Sequence, residues 1–340
     1  MRRARTRPPV VDRNEPRGRR AGHLVLALFA VGAIFAPWLA PHDPHEQFAR
    51  YPYAPPMRLL IIDDEGRWRA PFAYRLVLVD RLERRYSEDR SRPIPLFPVS
   101  SDARAPDPDP RPFVLGTDPL GRDVFSRLLH GSRASLGIAL LATLGGLLLG
   151  TLVGAVAARA GGWADEAMMR LADFVLVLPA IYVVLALRAV MPLVLSPLQV
   201  FAGLSIVLAL AGWPIVARGV RAILAAEGAR EYVEAARAAG ASPSRILWRH
   251  LLPAARGFLG IQAALFVPAF VLAEATLSFV GLGFAEPVPS WGTMLQDAGN
   301  VRTFGEFPWL LVPALAIVLV SLAVNISTER SYVEQSRVLF

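Results

Sequence analysis

Hydrophobic residues in this chain gather into long runs rather than into the spaced positions of a soluble amphipathic helix. Six runs stand out: Leu24–Ala40, Leu136–Ala158, Leu171–Val190, Val200–Val216, Gly257–Gly281 and Trp309–Ile326. A helix needs roughly 17 to 25 apolar residues to cross a bilayer core about 30 Å thick, and each run meets that length. Buried helices of soluble proteins rarely stay apolar for so long, and here the pattern recurs. The expectation is an all-α polytopic membrane protein with six transmembrane helices. The first run follows a cluster of arginines and ends in Ala36-Pro37-Trp38-Leu39-Ala40, as a secretory signal would. It exceeds the 7 to 15 apolar residues of a signal core, so an uncleaved first span is expected.

The polar intervals set the domain organisation. A basic tail covers 1–23, the first helix 24–40, and a long segment with a pre-span helix 41–133. A five-helix domain over 134–326 contains a polar loop at 218–256, and a tail follows at 327–340. From Asp43 to Pro112 the long segment carries 12 acidic residues and 12 arginines, with a proline-dense stretch from Ala105 to Pro112 that favours extended backbone. Met57–Ile62 and Tyr74–Val79 are short β-prone runs bounded by Pro, Gly and Asp. They predict a small, partly β lobe between spans one and two.

Arginine placement gives the orientation, because positive residues near span ends stay cytoplasmic. The first tail holds eight arginines, and the stretch from Arg218 to Arg256 holds seven. The short loops Met191–Gln199 and Leu282–Pro308 hold only Arg302 between them. Both termini and the 218–256 loop are therefore expected on the cytoplasmic side of the membrane, and the 41–133 lobe outside. The formal charge of +8 reads as topology and contact with anionic lipid, with no need for nucleic acid.

Composition then excludes several chemistries. All 36 basic residues are arginine, and there is no cysteine. A chain without lysine has no P-loop lysine and no Schiff base, so it is not itself a P-loop ATPase. Without cysteine it has no disulfide, thiolate nucleophile or thiolate zinc site. His42 and His45 lie three apart beside acidic residues, but Pro41 and Pro44 interrupt any helix that would align them, and no metal site is expected.

Three sets of residues in or near the runs are candidates for function. Gly146, Gly150 and Gly154 recur every four residues, which bares one helix face for close packing against another span or a partner. Asp173 and Glu274 are carboxylates at membrane depth, where an ionisable group costs about 2.5 to 3.5 kcal/mol unless it meets a partner, cavity or pathway. Either reading remains open for Glu274: a polar position in a translocation path, or a carboxyl that locks spans together. The third set is in the polar loop. Glu231–Ala239 is rich in helix formers, Gly240 suits the left-handed position that stops a helix, and Ser242-Pro243 suits the start of the next, which should end near Pro253. The small alanines make the first helix narrow, as docking into another protein's cleft requires, and the same composition also fits a plain interfacial helical hairpin.

At these residues the chain resembles a known family. Glu234-Ala235-Ala236, three residues, Gly240, nine residues and His250-Leu251-Leu252-Pro253 are similar to the EAA signature of membrane subunits of binding-protein-dependent ABC importers. His250 is typical of the dipeptide/oligopeptide/nickel branch. That branch is also resembled by Phe35–Pro44, Leu115–Leu128, Gly161–Asp165, Glu274–Gly283 and Pro289–Leu295, so the likeness extends from about residue 24 to 326. Two departures are a longer segment before Leu115 and a tail after Ser327 without the usual Asp-Pro-Arg-like ending.

The resemblance implies a type I ABC importer permease whose Glu234–Gly240 helix couples to a cytoplasmic ATPase. It implies a second homologous permease (a heterodimer), two ATPase subunits that carry ATP and Mg, and an extracytoplasmic solute-binding protein. No cofactor is expected on this chain, and no enzymatic activity of its own. Peptide is the implied cargo, with nickel or another small solute as the alternative. From the residues alone two other classes stay open: a proton-coupled secondary carrier using Asp173 and Glu274, and a membrane scaffold or receptor using the lobe.

Overall fold

The computed structural model describes residues 15–63, 66–96, 111–179, 182, 195–299 and 301–339. The first predicted run lies in α1 (Glu15–Ile34) and the short α2 (Ala36–Leu39). A three-stranded antiparallel sheet follows, formed by β1 (Leu60–Ile62), β2 (Trp68–Asp80) and β3 (Arg85–Pro95) in that order. Of the two β-prone runs, the first shortens to its last three residues and the second lies inside a longer strand. β3 was not expected, because Arg85-Tyr-Ser-Glu-Asp-Arg-Ser-Arg-Pro has no apolar run. Pairing with β2 holds it, with Tyr86 opposite Leu78 and Arg75 opposite Asp89. The Tyr86 hydroxyl donates to the Pro52 carbonyl at 2.8 Å. The sheet is seated on the chain that flanks it through a core of Tyr51, Ala54, Met57, Ala73, Leu76 and Phe113.

Next comes α3 (Val124–Ala160), 37 residues and therefore about 55 Å long. Its start lies well before the second predicted run, because Asp123 caps it: the carboxylate accepts from the Ser126 amide at 3.0 Å and the Phe125 amide at 3.4 Å. The pre-span helix and the span are one helix. Gly161 and Gly162, at φ +61° and +54°, turn the chain into α4 (Gly162–Val177). The third predicted run, Leu171–Val190, passes beyond the described residues after Pro179. A capping box of Ser196 and Gln199 opens α5 (Pro197–Gly228), which continues through Pro214 and twelve residues past the run's expected end at Val216.

The polar loop folds into α6 (Glu231–Ala238) and α7 (Pro243–Ile246), then a π turn over Leu247–Leu251 and α8 (Leu252–Ala254). After it come α9 (Arg256–Phe279), α10 (Trp291–Ala298), α11 (Val301–Glu306), a 3-10 turn over Pro308–Leu311 and α12 (Val312–Leu339). The last helix runs through what reads from sequence as a separate tail at 327–340.

Among the described residues four helices are long and apolar enough to cross a membrane, spanning Val124–Ala160, Pro197–Gly228, Arg256–Phe279 and Pro308–Thr328. The main core lies between α3, α5, α9, α10 and α12, around Ile138, Val216, Val271, Trp291 and Val320. The closest pairing is α3 on α5. A Cβ added at Gly150 would sit 2.5 Å from Val216 Cβ and 2.6 Å from the Trp213 carbonyl. Gly154 is as tight against the Ala217 carbonyl, at 2.5 Å, while Gly146 has ordinary room. Bare backbone is thus what lets these two helices touch.

Candidate functional site

The polar loop presents a surface. In α6 only Val233 is fully buried, so it pins the helix to the bundle. Glu234 and Ala235 are exposed, and Ala236 is half-buried. Gly240 stands at φ +80° with open space around it, so the demand for glycine there is conformational rather than steric. Its amide and that of Ala241 donate to the carbonyls of Arg237 and Ala236 at 3.0 Å, which closes the C-terminus of the helix. Ser242 accepts from the Arg245 amide at 3.4 Å and starts α7. His250 packs 5.9 Å from the Tyr232 ring, tying the second half of the loop back to the first. Leu252 and Pro253, both half-buried, lie in α8 and join the loop to α9. Tyr232 and Trp248 remain 42% and 72% exposed, two large rings on the surface beside α6.

Two carboxylates that look alike in sequence differ in place. Asp173 is exposed on α4 and pairs with Arg218 of α5 at 2.9 Å. One step along, Arg221 binds Asp165, so α4 is tied to α5 by two ion pairs. Glu274 has no exposed surface. One oxygen accepts from Ser278 Oγ at 2.8 Å, the other has no hydrogen-bond partner, and the Ser135 and Ser290 hydroxyls stand beside the group. Glu274 therefore sits where α3, α9 and the cap of α10 meet. An apolar cavity of about 540 Å³ between α3, α4 and α5, lined by residues such as Leu152, Met168 and Trp213, has no charged side chain in its wall.

A third feature lies at the start of α3, and reading for catalytic or membrane-buried carboxylates does not find it. Arg122 and Arg127 are both buried, at 1% and 0% exposure. Arg122 binds Asp118 at 2.5 Å and also Glu286, while Arg127 reaches Glu286 at 2.8 Å and lies 3.6 Å from Asp118. Asp297 of α10 completes the group, 3.5 Å from Arg122. Burial works against the Arg122 charge, yet its hydrogen bond to Glu286 and the charge of Asp118 hold its pKa above the usual value. Burial, reinforced by Asp118, pushes the Asp297 carboxyl up to about 7, although Arg122 and Arg127 pull the other way. Two cations and three carboxylates rivet the approach to α3 onto the segment between α9 and α10. The signal in the sequence is a pair of arginines five apart, Arg122 and Arg127, flanked by Asp118 and Asp123 in the polar approach to the run that begins at Leu136. Nearby, His42 stacks on Phe113 at 5.1 Å and lies 3.4 Å from Asp123, while His45 turns away to the Pro287 carbonyl.

Residues 146–335 match the family model described as a binding-protein-dependent transport system inner membrane component. Residues 18–56 match the N-terminal transmembrane domain of oligopeptide transport permease C. A Di/tripeptide transport system permease protein of Pseudomonas aeruginosa is 34% identical over 91% of this chain and 84% of its own length. A putative peptide permease protein of Brucella suis is 39% identical over 62% of this chain and 68% of its own. The oligopeptide transport system permease protein of Bacillus subtilis is 36% identical over 64% and 70%. Among solved structures, a chain of the inward-facing MetNI methionine ABC transporter aligns with a TM-score of 0.46 and 22% identity, over 61% of this chain and 95% of that one.

Proposed function

Since the chain belongs to the family of binding-protein-dependent transport system inner membrane components, we propose that it is one permease half of an ATP-driven peptide importer, with α6 as the element that takes up the ATPase stroke. The observation that carries this reading is the shape of the polar loop. It has a short exposed helix bearing Glu234-Ala235-Ala236, a left-handed stop at Gly240 and a second helix continuous with the bundle through α8 and α9. An exposed helix held at few points, by buried Val233, by the Tyr232 hydroxyl that donates to Glu227 at 2.8 Å and by the Tyr232–His250 contact, moves as a unit when pushed, and α8 passes that motion to α9.

In this reading six spans cross the membrane. α1 with α2 forms the first, α4 enters the third, and both termini lie in the cytoplasm. ATP and Mg act on two partner subunits, a second permease completes the pathway as a heterodimer, and a solute-binding protein delivers cargo on the other side. Peptide is the cargo because the relatives above are named for di- and tripeptides and oligopeptides, and a further relative for glutathione. The proton-carrier alternative loses support from the geometry: Asp173 is neutralised by Arg218, and Glu274 is enclosed by serines.

The test is co-purification. The detergent-solubilised chain, expressed with its neighbouring transport subunits, is expected to bring down ATPase activity. A variant with Glu234→Arg, Ala235→Trp and Ala236→Trp is expected to lose it while α9 and the bundle stay folded. Equal ATPase recovery by both proteins would remove the coupling role from α6.

A further inference from the structure

The turn between β2 and β3 is built to hold one exposed side chain in a fixed place. Asp80 Oδ1 accepts from the Leu82 amide at 2.7 Å and the Glu83 amide at 3.0 Å. Asp80 and Arg85 close the ladder below, and Arg85 binds Glu83 at 2.7 Å. Arg84 adopts φ +50°, a conformation that a long side chain rarely takes without support. The support is visible: the Arg84 guanidinium lies 4.0 Å over the Tyr53 ring and 5.6 Å from Phe307. This arrangement leaves Leu82 92% exposed, with Val79 at 66% beside it.

One exposed leucine is ordinary on a protein surface. The position of this one is not. Phe307 meets Trp309 edge to face at 5.5 Å, and Trp309 lies in the 3-10 turn that opens α12, one of the four apolar spans. Trp309 Nε1 donates to the Thr117 carbonyl, so that ring is fixed at the end of the span, the depth at which tryptophan marks a membrane interface. Arg84 thus clamps the turn at interfacial level. Leu82 is flanked there by the exposed guanidinium groups of Arg81 and Arg85.

We infer that the β2–β3 turn is a phospholipid contact, seating Leu82 in the interfacial layer of the outer leaflet while the neighbouring Arg81 binds a headgroup phosphate. An apolar tip beside the exposed Arg81 guanidinium, with the neighbouring Glu83 carboxylate neutralised by Arg85, suits the boundary between acyl chains and anionic headgroups. The lobe would then be braced at its seat on Tyr51 and Phe113 and also at its tip. This inference rests on the proposed topology, in which the lobe lies outside.

The lack of native cysteine makes the test direct. Leu82→Cys and, as the control far along β3, Ser91→Cys are introduced into the full chain. In intact spheroplasts an impermeant maleimide should reach Ser91→Cys from outside. Reaction only after lysis would overturn the topology, and the inference with it. Each variant is then spin-labelled and reconstituted into vesicles of phosphatidylethanolamine and phosphatidylglycerol. The Leu82→Cys label should collide with oxygen rather than with aqueous nickel chelate in a ratio several-fold above that of Ser91→Cys. Arg81→Gln should lower that ratio. A ratio equal to that of Ser91→Cys overturns the lipid contact. So does a label that is shielded only when a soluble substrate-binding subunit is added, since the turn would then dock protein.

Discussion

Arginine and carboxylate meet at both ends of the bundle, and the two ends use the same chemistry differently. At the start of α3 the side chains of Arg122, Arg127 and Asp118 are 1% to 2% exposed, with Asp297 at 20% and Glu286 at 39% on the outer side of the cluster. At the other end, where α4 meets α5, the side chains of Arg218 and Asp173 are 55% and 58% exposed, and Arg221, at 40%, meets Asp165, at 14%. Desolvated charges are held only while every partner stays in place, so the first cluster makes its end of the bundle all-or-none. Pairs in water exchange partners cheaply, so the second end is free to adjust. That second end adjoins the helix assigned to coupling, where an adjustable joint is useful. The first end joins the segment before α3 to the segment after α9.

The sharpest way to break the contrast is Arg127→Ala. It strips Glu286 of one cation and leaves buried Asp118 less compensated, and removal of one partner from a buried pair costs about 3–5 kcal/mol. Thermal unfolding of the purified protein in detergent should show a drop that Arg218→Ala does not; equal drops would end the distinction.

A smaller effect comes from pH. Asp297 holds its proton up to about 7 in the folded protein, whereas the unfolded group releases it near 3.8. Protons bound by the native state alone stabilise it at low pH, so this group's contribution to stability falls as pH rises from about 4 to about 7. Asp297→Asn should flatten that part of the pH–stability curve, and an unchanged slope would assign the slope to another group.

The smallest effect is expected at the exposed end. Arg218→Gln should change stability by no more than about 1 kcal/mol, and less still in high salt. Loss of several times that amount, independent of salt, would show that this pair is as structural as the buried cluster.

Much of this was legible beforehand, and the limits have physical causes. Four of the six apolar runs fall in helices long and apolar enough to cross a membrane, and they could be read because such runs reflect a solvent, the bilayer, that acts on each segment separately. The stop at Gly240 and the helix start at Ser242 were readable for a similar reason, since capping involves only neighbours within a few residues. The spacing of Gly146, Gly150 and Gly154 announced a bare helix face, but only folding showed that Val216 and Ala217 of α5 fill it, and that Gly146 is the loosest of the three. β3 escaped because a strand can be held by its neighbour's edge rather than by its own apolar residues. Its residues are mostly polar, and β2 supplies the ladder.

The chain alone thus determined which segments are apolar enough to form long helices and which polar loop folds as helix, stop and helix, because those properties are local in sequence. Tertiary structure alone decided the fate of the charges. Arg122 and Glu286 are separated by 164 positions and Asp173 and Arg218 by 45, yet each pair is in contact. Whether a carboxylate is a rivet, a loose tie or an enclosed group like Glu274 depends on desolvation and on partners from distant segments, and no local pattern encodes either.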